Sequence, residues 1–129
     1  TKLAETVVDI PKADQLVHGD LNASNILYDD TQETALAFID FERTALGCGM
    51  TDVAKFVWRV LQSDMPLAHE FLALYLQKVP NTTDKKKLYW YMTFEYLGAI
   101  SYFAYRGHKE NYPYKAEAFN LLEPCLTLL

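Results

Sequence analysis

Apolar positions change their period twice along this chain, and each change marks a new kind of element. Residues 1–14 mix polar and apolar side chains without a period, and Pro11 breaks any helix there, so they read as an approach segment. From Asn25 the pattern turns to strand. Ile26, Leu27 and Tyr28, a polar stretch at 29–34 and an apolar run at 35–39 predict a β-hairpin with a loop of about six residues. A short connection with Gly47 and Gly49 follows, then Thr51 in an N-cap position, and Val53, Phe56, Val57, Val60 and Leu61 at helical spacing to about residue 62. A second helix is expected from Pro66, which suits a first turn, to before Pro80, with Leu67, Phe71, Leu74 and Leu76 apolar. The longest predicted helix spans 84–106, capped by Thr83 and stopped by Gly107, and buries Leu88, Met92, Tyr96, Ala99, Ile100 and Phe103. A last helix from Pro113 carries Ala116, Phe119 and Leu122, and Pro124 ends or kinks it. The expected fold class is α+β, mainly α: a small hairpin followed by about four helices, with no strand placed before residue 18. Residues 1–50 hold the approach segment, loop and hairpin, and residues 51–129 a helical part of the same structural domain.

Composition narrows the class. With 129 residues the prior is one domain, and 50% apolar and 22% charged residues are ordinary for a soluble globular protein. A net charge of −5 argues against a nucleic-acid partner, which would want clustered Lys and Arg. The sign is uneven: residues 1–52 carry ten acids against three bases, and residues 53–129 seven against nine. Carboxylates concentrated in the first part are what a divalent-cation site needs, although a solvated loop carries the same signature. Cys48 and Cys125 have neither metal-ligand nor disulfide-scaffold spacing, and there is no apolar run of 18 residues, so the expectation is a reduced cytoplasmic protein without a membrane partner. Asn22-Ala23-Ser24 and Asn81-Thr82-Thr83 fit the glycosylation pattern and read as chance matches. The chain starts at Thr1 with no Met before Met50, from which we expect a piece of a longer protein.

The chemistry is concentrated in His18-Gly19-Asp20-Leu21-Asn22-Ala23-Ser24-Asn25-Ile26-Leu27 and Phe38-Ile39-Asp40-Phe41-Glu42. Asp20 and Asn25 stand at the spacing of a kinase catalytic loop, where the Asp accepts the substrate hydroxyl proton and the Asn binds magnesium. If the hairpin folds as read, the chain returns at Asp40 to within roughly one strand spacing, about 5 Å, of where it left Asn25. An amide oxygen and a carboxylate then face one ion, and magnesium prefers a few hard oxygens with waters and phosphates completing its octahedron. Taken singly, each of these residues reads as a turn former; their joint spacing favours chemistry. Asn22 and Ser24 read as turn residues, the other reading being that they help position phosphate or the loop.

These residues resemble the aminoglycoside phosphotransferase and choline kinase superfamily, whose His-Gly-Asp-Leu-x-x-x-Asn-Ile-Leu loop precedes a hairpin ending in Ile-Asp-(Phe/Trp)-(Glu/Asp). The motif similarity covers about residues 16–57. The resemblance implies the C-terminal lobe of a protein-kinase-like fold, Mg2+ and ATP as cofactor and co-substrate, and γ-phosphate transfer to the hydroxyl of a small molecule. It implies Asp20 as catalytic base, Asn25 and Asp40 as metal ligands, and His18 and Asp52 as supports of the loop. Asp52 also reads as a helix-start charge favoured by the dipole. Glu42 has two readings, a second-metal contact made directly or through water, or a solvated carboxylate.

Protein kinases share the Asp-x4-Asn spacing, but here Gly19 replaces their Arg, Glu42 follows Asp40-Phe41 where they have Gly, and ten residues separate Asp40 from Thr51, too few for a long activation segment. A small-molecule substrate is therefore expected. The Lys85-Lys86-Lys87 run and the basic balance after residue 52 argue against a polycationic aminoglycoside. Trp90, Tyr91, Phe94, Tyr96, Tyr102 and Tyr105 either pack the core or enclose a choline- or ethanolamine-type ammonium. No GxGxxG loop occurs among the five glycines, so the nucleotide lobe is expected to be absent, the nucleotide-binding residues unknown, and the isolated chain inactive. The competing readings are a catalytically inactive kinase-like binding module and an unrelated helical interaction domain.

Overall fold

The computed structural model describes residues 13–105 and 113–129. Residues 1–12 of the approach segment, the Gly107 stop and the Phe103 side chain lie outside the described residues. In chain order the elements are β1 (Gln15–Val17), β2 (Ile26–Asp29), β3 (Thr34–Phe38), β4 (Ala45–Gly47), α1 (Met50–Arg59), α2 (Met65–Leu76), α3 (Thr82–Tyr105) and α4 (Pro113–Thr127). An α+β chain that is mainly helical is what the periodicities predict.

The hairpin forms where expected, with a tighter loop. β2 and β3 pair antiparallel, Ile26 opposite Phe38 and Asp29 opposite Thr34, with an irregularity after Leu27 that leaves Leu36 unpaired as a bulge. The turn shortens because Asp29 Oδ1 accepts the Thr31 N–H at 2.8 Å and the Thr31 hydroxyl at 2.6 Å, an Asx turn that also lowers the Asp29 pKa. The second sheet corrects the expectation of no strand before His18: β1 pairs antiparallel with β4, Gln15 opposite Gly47 and Val17 opposite Ala45.

Two caps also differ from expectation. Helix α1 starts at Met50, and Gly49 precedes it without a side-chain cap, so Thr51 is inside the helix, its N–H bonded to Cys48 O. At α3 the reciprocal bonds run between Asn81 and Asp84, Asp84 N–H to Asn81 Oδ1 at 2.9 Å and Asn81 N–H to Asp84 Oδ2 at 3.0 Å, which displaces Thr83 from the cap. Helix α2 begins as read, with Asp64 Oδ1 accepting the Leu67 N–H at 3.0 Å and Pro66 in the first turn. Helix α4 runs past Pro124 to Thr127.

Helix α3 is the axis of the core. Its Leu88, Met92 and Tyr96 are fully buried against Val53, Ala54, Val57 and Trp58 of α1, Ala68 and Leu72 of α2, and Ala118 and Cys125 of α4. Trp58 meets Tyr96 edge-on at 5.3 Å, and Ser63 bonds the Tyr96 hydroxyl at 2.8 Å, so the buried phenol is satisfied. The hairpin by contrast is largely exposed. The helices thus share one packed core, with the loop after β1 laid against the first turn of α1.

Candidate active site

The loop after β1 is held by hydrogen bonds from three directions. From α1, the Asp52 carboxylate accepts the His18 N–H at 2.7 Å and the Gly19 N–H at 2.9 Å. A carboxylate accepting two backbone amides makes charge-assisted bonds, about twice as strong as neutral ones. Toward the hairpin, the His18 ring Nε2 lies 2.8 Å from Ile39 O, a pure acceptor, which places the ring proton on Nε2. The Nδ1 atom then accepts the Asp20 N–H at 3.3 Å, and the ring packs 4.6 Å from Phe41. His18 is buried and both its nitrogens are engaged within the loop.

From within, Asn25 and Asn22 both donate their side-chain amides to Asp20 O, at 2.9 and 3.2 Å. Asn22 also caps a 3-10 turn, Ala23–Asn25, by accepting the Ser24 N–H at 3.0 Å. Gly19 has φ +80, and a Cβ there would overlap the Arg43 carbonyl, so the close approach of these two backbones demands glycine. The Asp20 side chain itself is half-exposed at the end of this braced segment.

Asp40 is reached through the hairpin. Its neighbour Ile39 donates its N–H to Asn25 O at 3.0 Å, so the chain returns at residue 40 beside the Asn25 turn. Asp40 is exposed and left-handed, φ 64 and ψ 62, and caps nothing with its carboxylate. Among non-glycine residues Asp and Asn tolerate this conformation best, and such strain gathers at functional positions. Glu42 lies on the exposed 3-10 turn that follows (Phe41–Arg43) and joins none of the loop's hydrogen bonds. The structure therefore brings His18, Asp20, Asn25 and Asp52 into one network, adds Asp40 through Ile39, and leaves Glu42 outside it.

Among the described residues no group of three or more His, Cys, Asp or Glu can hold a metal ion. The donor set nevertheless fits magnesium. The Asn25 amide nitrogen is committed to Asp20 O, which turns Oδ1 the other way with only a long 3.5 Å contact to the Ser24 hydroxyl. That oxygen and the Asp40 carboxylate are two hard donors, the number magnesium takes from protein when phosphates and water supply the rest.

The sequence reading missed the cavity beside Asp20. A volume of about 460 Å3 opens between the loop, α1 and α3, with Asp20 and Asn22 among its lining residues. Lys55 and Glu95, both on its wall, pair at 2.6 Å, and Arg43, Arg59, Trp58 and Tyr102 complete much of the rest. Phe94, Gly98 and Tyr102 recur every fourth residue and present one face of α3 to it, a spacing visible in the sequence. A Cβ on Gly98 would meet nothing within 4 Å, as expected of a position facing open space. Of the aromatics singled out earlier, Tyr91 and Tyr96 are core, while Phe94 and Tyr102 line the cavity.

No described helix is long and apolar enough to cross a membrane. No curated protein and no solved structure matches the chain. The model of the phosphotransferase enzyme family (APH) matches residues 2–91, a span that runs from before the loop through the hairpin, α1 and α2 into α3. That match covers well over half of the sequence and contains every residue of the braced loop; the chain belongs to the phosphotransferase enzyme family.

Proposed function

We propose that this chain is the C-terminal catalytic lobe of a magnesium-dependent kinase that transfers the γ-phosphate of ATP to the hydroxyl of a small molecule. The observation that carries the reading is the placement of Asp20, whose backbone is fixed by His18, Asn22 and Asn25 while its side chain borders the cavity. A substrate hydroxyl in that cavity gives its proton to the Asp20 carboxylate as its oxygen bonds to the γ-phosphorus and the bond to the leaving ADP oxygen breaks. Asn25 Oδ1 and the Asp40 carboxylate would hold the magnesium ion, which supplies charge neutralisation to the phosphates when bound. Phosphoryl transfer asks little covalent help of a protein, so alignment by a rigid loop is a large part of what is needed.

No GxGxxG loop occurs in the sequence and no strand among the described residues carries a lysine, and we assign both parts to a partner lobe. Exposed Leu16, Leu36, Phe38 and Leu46 on the two sheets, with Phe41 on the turn between β3 and β4, support a surface that such a lobe covers. A small apolar cavity of about 210 Å3 between His18, Leu21, Phe38 and Phe41 lies on the same side.

The test is transfer of radiolabelled γ-phosphate from Mg·ATP to a pool of hydroxylated small molecules, run on this chain and on a version extended upstream. Labelled product from the extended chain, lost in Asp20→Asn, is expected. Transfer that survives Asp20→Asn would remove the assignment of the base, and ATP turnover by the 129-residue chain alone would remove the need for a second lobe.

A further inference from the structure

We propose that Lys55 and Glu95 determine specificity: together they read two adjacent hydroxyls of a polyol substrate, while Asp20 takes the reacting one. The proposal deepens the kinase reading and rests on Asp20 being its base. Lys55 on α1 and Glu95 on α3 line the same cavity as Asp20. Their Nζ and Oε2 atoms stand 2.6 Å apart, with side chains only 18% and 13% exposed. Among the described residues that bond is the one polar contact of either side chain. It uses one carboxylate oxygen and one ammonium hydrogen, so Glu95 Oε1 and two Nζ hydrogens are left for a molecule in the cavity.

Hydroxyls suit such a pair by their chemistry. Glu95 only accepts hydrogen bonds and Lys55 only donates them, whereas a hydroxyl does both. Hydroxyls on neighbouring carbons stand roughly one hydrogen-bond length apart, about 2.8 Å, which matches the spacing of the two charged atoms. One hydroxyl then donates to Glu95 as its neighbour accepts from Lys55, and the ion pair stays intact. A zwitterion such as an amino acid carries the same two charges, but each of its ions must take the place of Lys55 or Glu95. Breaking a largely buried pair in that way is costly. Phe94 and Tyr102, about half-exposed, give the cavity apolar surface for a carbon skeleton, and a Cβ at Gly98 would meet nothing within 4 Å.

Four probes titrated into this chain without nucleotide test the reading: myo-inositol, cis-1,2-cyclohexanediol, its isomer cis-1,4-cyclohexanediol, and L-serine as a hydroxylated zwitterion. Trp58 lines the cavity, so its indole NMR resonance reports occupation. The tightest binding is expected for myo-inositol. The 1,2-diol should bind about tenfold tighter than the 1,4-diol, as a charge-assisted bond in a partly hydrated wall would give. Lys55→Met combined with Glu95→Met removes the pair with little change in volume, a replacement that is often neutral or stabilising. In that double variant, with circular dichroism checking its fold, the two diols should bind within about twofold of each other. A pair that only clamps the two helices would leave the preference unchanged.

A 1,4-diol that binds as tightly as the 1,2-diol, no saturable binding of myo-inositol, or tighter binding of L-serine than of myo-inositol would overturn the proposal. These three outcomes are read on the unaltered chain, so they do not depend on the variant folding. A preference that survives in the folded double variant would overturn it as well. Because no phosphate is transferred in these titrations, the hydroxyl preference and the identity of the base are tested apart.

Discussion

Removing the Asp52 carboxylate should loosen the whole loop, and the size of the effect follows from its two bonds. It accepts the His18 and Gly19 N–H groups at 2.7 and 2.9 Å in a partly buried setting. Hydrogen bonds to a charged group contribute about 1.5–3 kcal/mol each, which sets a ceiling of roughly 3–6 kcal/mol for the pair. Water reaching the half-exposed end of the loop should recover about half of that, leaving an expected loss of about 1.5–3 kcal/mol for Asp52→Ala. Asp52→Asn keeps one acceptor oxygen and turns an NH2 toward the other amide, so it should lose about as much as one bond with its charge removed, near 1–1.5 kcal/mol. Urea unfolding followed by tryptophan fluorescence measures both. A loss below about 0.5 kcal/mol for Asp52→Ala, the range of ordinary surface substitutions, would mean that Asp52 is only a helix-start charge and the brace is wrong.

Three further outcomes are expected. Gly19→Ala should cost about 1–3 kcal/mol in the same assay, because φ +80 is strained for alanine and its Cβ meets the Arg43 carbonyl; an unchanged midpoint would refute the close approach. Gly98→Ala should stabilise by about 0.5–1 kcal/mol, since it replaces an interior helical glycine at a position where the new Cβ touches nothing. His69, bonded to the Tyr89 hydroxyl at 2.6 Å, has its pKa pushed below the ordinary 6.5 by burial and then by Lys85. The folded protein then binds fewer protons than the unfolded chain between that lowered value and 6.5, so stability should fall as pH drops through this window, and His69→Gln should flatten the slope of urea midpoints measured across it.

The parts of the site legible in the sequence are those built from local spacing. Asp20 and Asn25 lie on one short loop, joined by the bond from the Asn25 amide to Asp20 O, and Asp40 is returned to them by a hairpin whose pairing is also local, so residue order alone implies their neighbourhood. The β1–β4 pairing was not legible for the opposite reason. Gln15 and Gly47 meet across 32 positions, and strands of three residues are too short to show alternation. Thr51 has the chemistry of a cap, but the helix begins one residue earlier and puts Asp52 in the first turn, where its carboxylate serves the loop. The cavity drew residues from the β3–β4 turn, α1 and α3, and the every-fourth spacing of Phe94, Gly98 and Tyr102 ran beside the buried stripe of Leu88, Met92 and Tyr96 on the same helix. Adjacent stripes of similar composition cannot be separated by period alone.

Gly19 ties these observations together. In the sequence it argued against a protein-kinase loop because an arginine was missing. The structure adds a physical reason why no side chain stands there: the Arg43 backbone passes directly over it, at the end of the turn that follows Asp40. That approach draws the Asp40 turn onto the loop, while His18 bonds Ile39 O and Asp52 holds the loop from the helix. A side chain at position 19 would push the turn away and carry Asp40 with it. The glycine therefore acts on the spacing between the candidate base and the candidate metal ligand, and rigid supports of this kind are what alignment-dependent chemistry requires. It follows that Gly19→Ala should weaken magnesium-dependent chemistry more than its cost in stability alone would give, because it displaces Asp40 although it removes no candidate metal ligand from the chain.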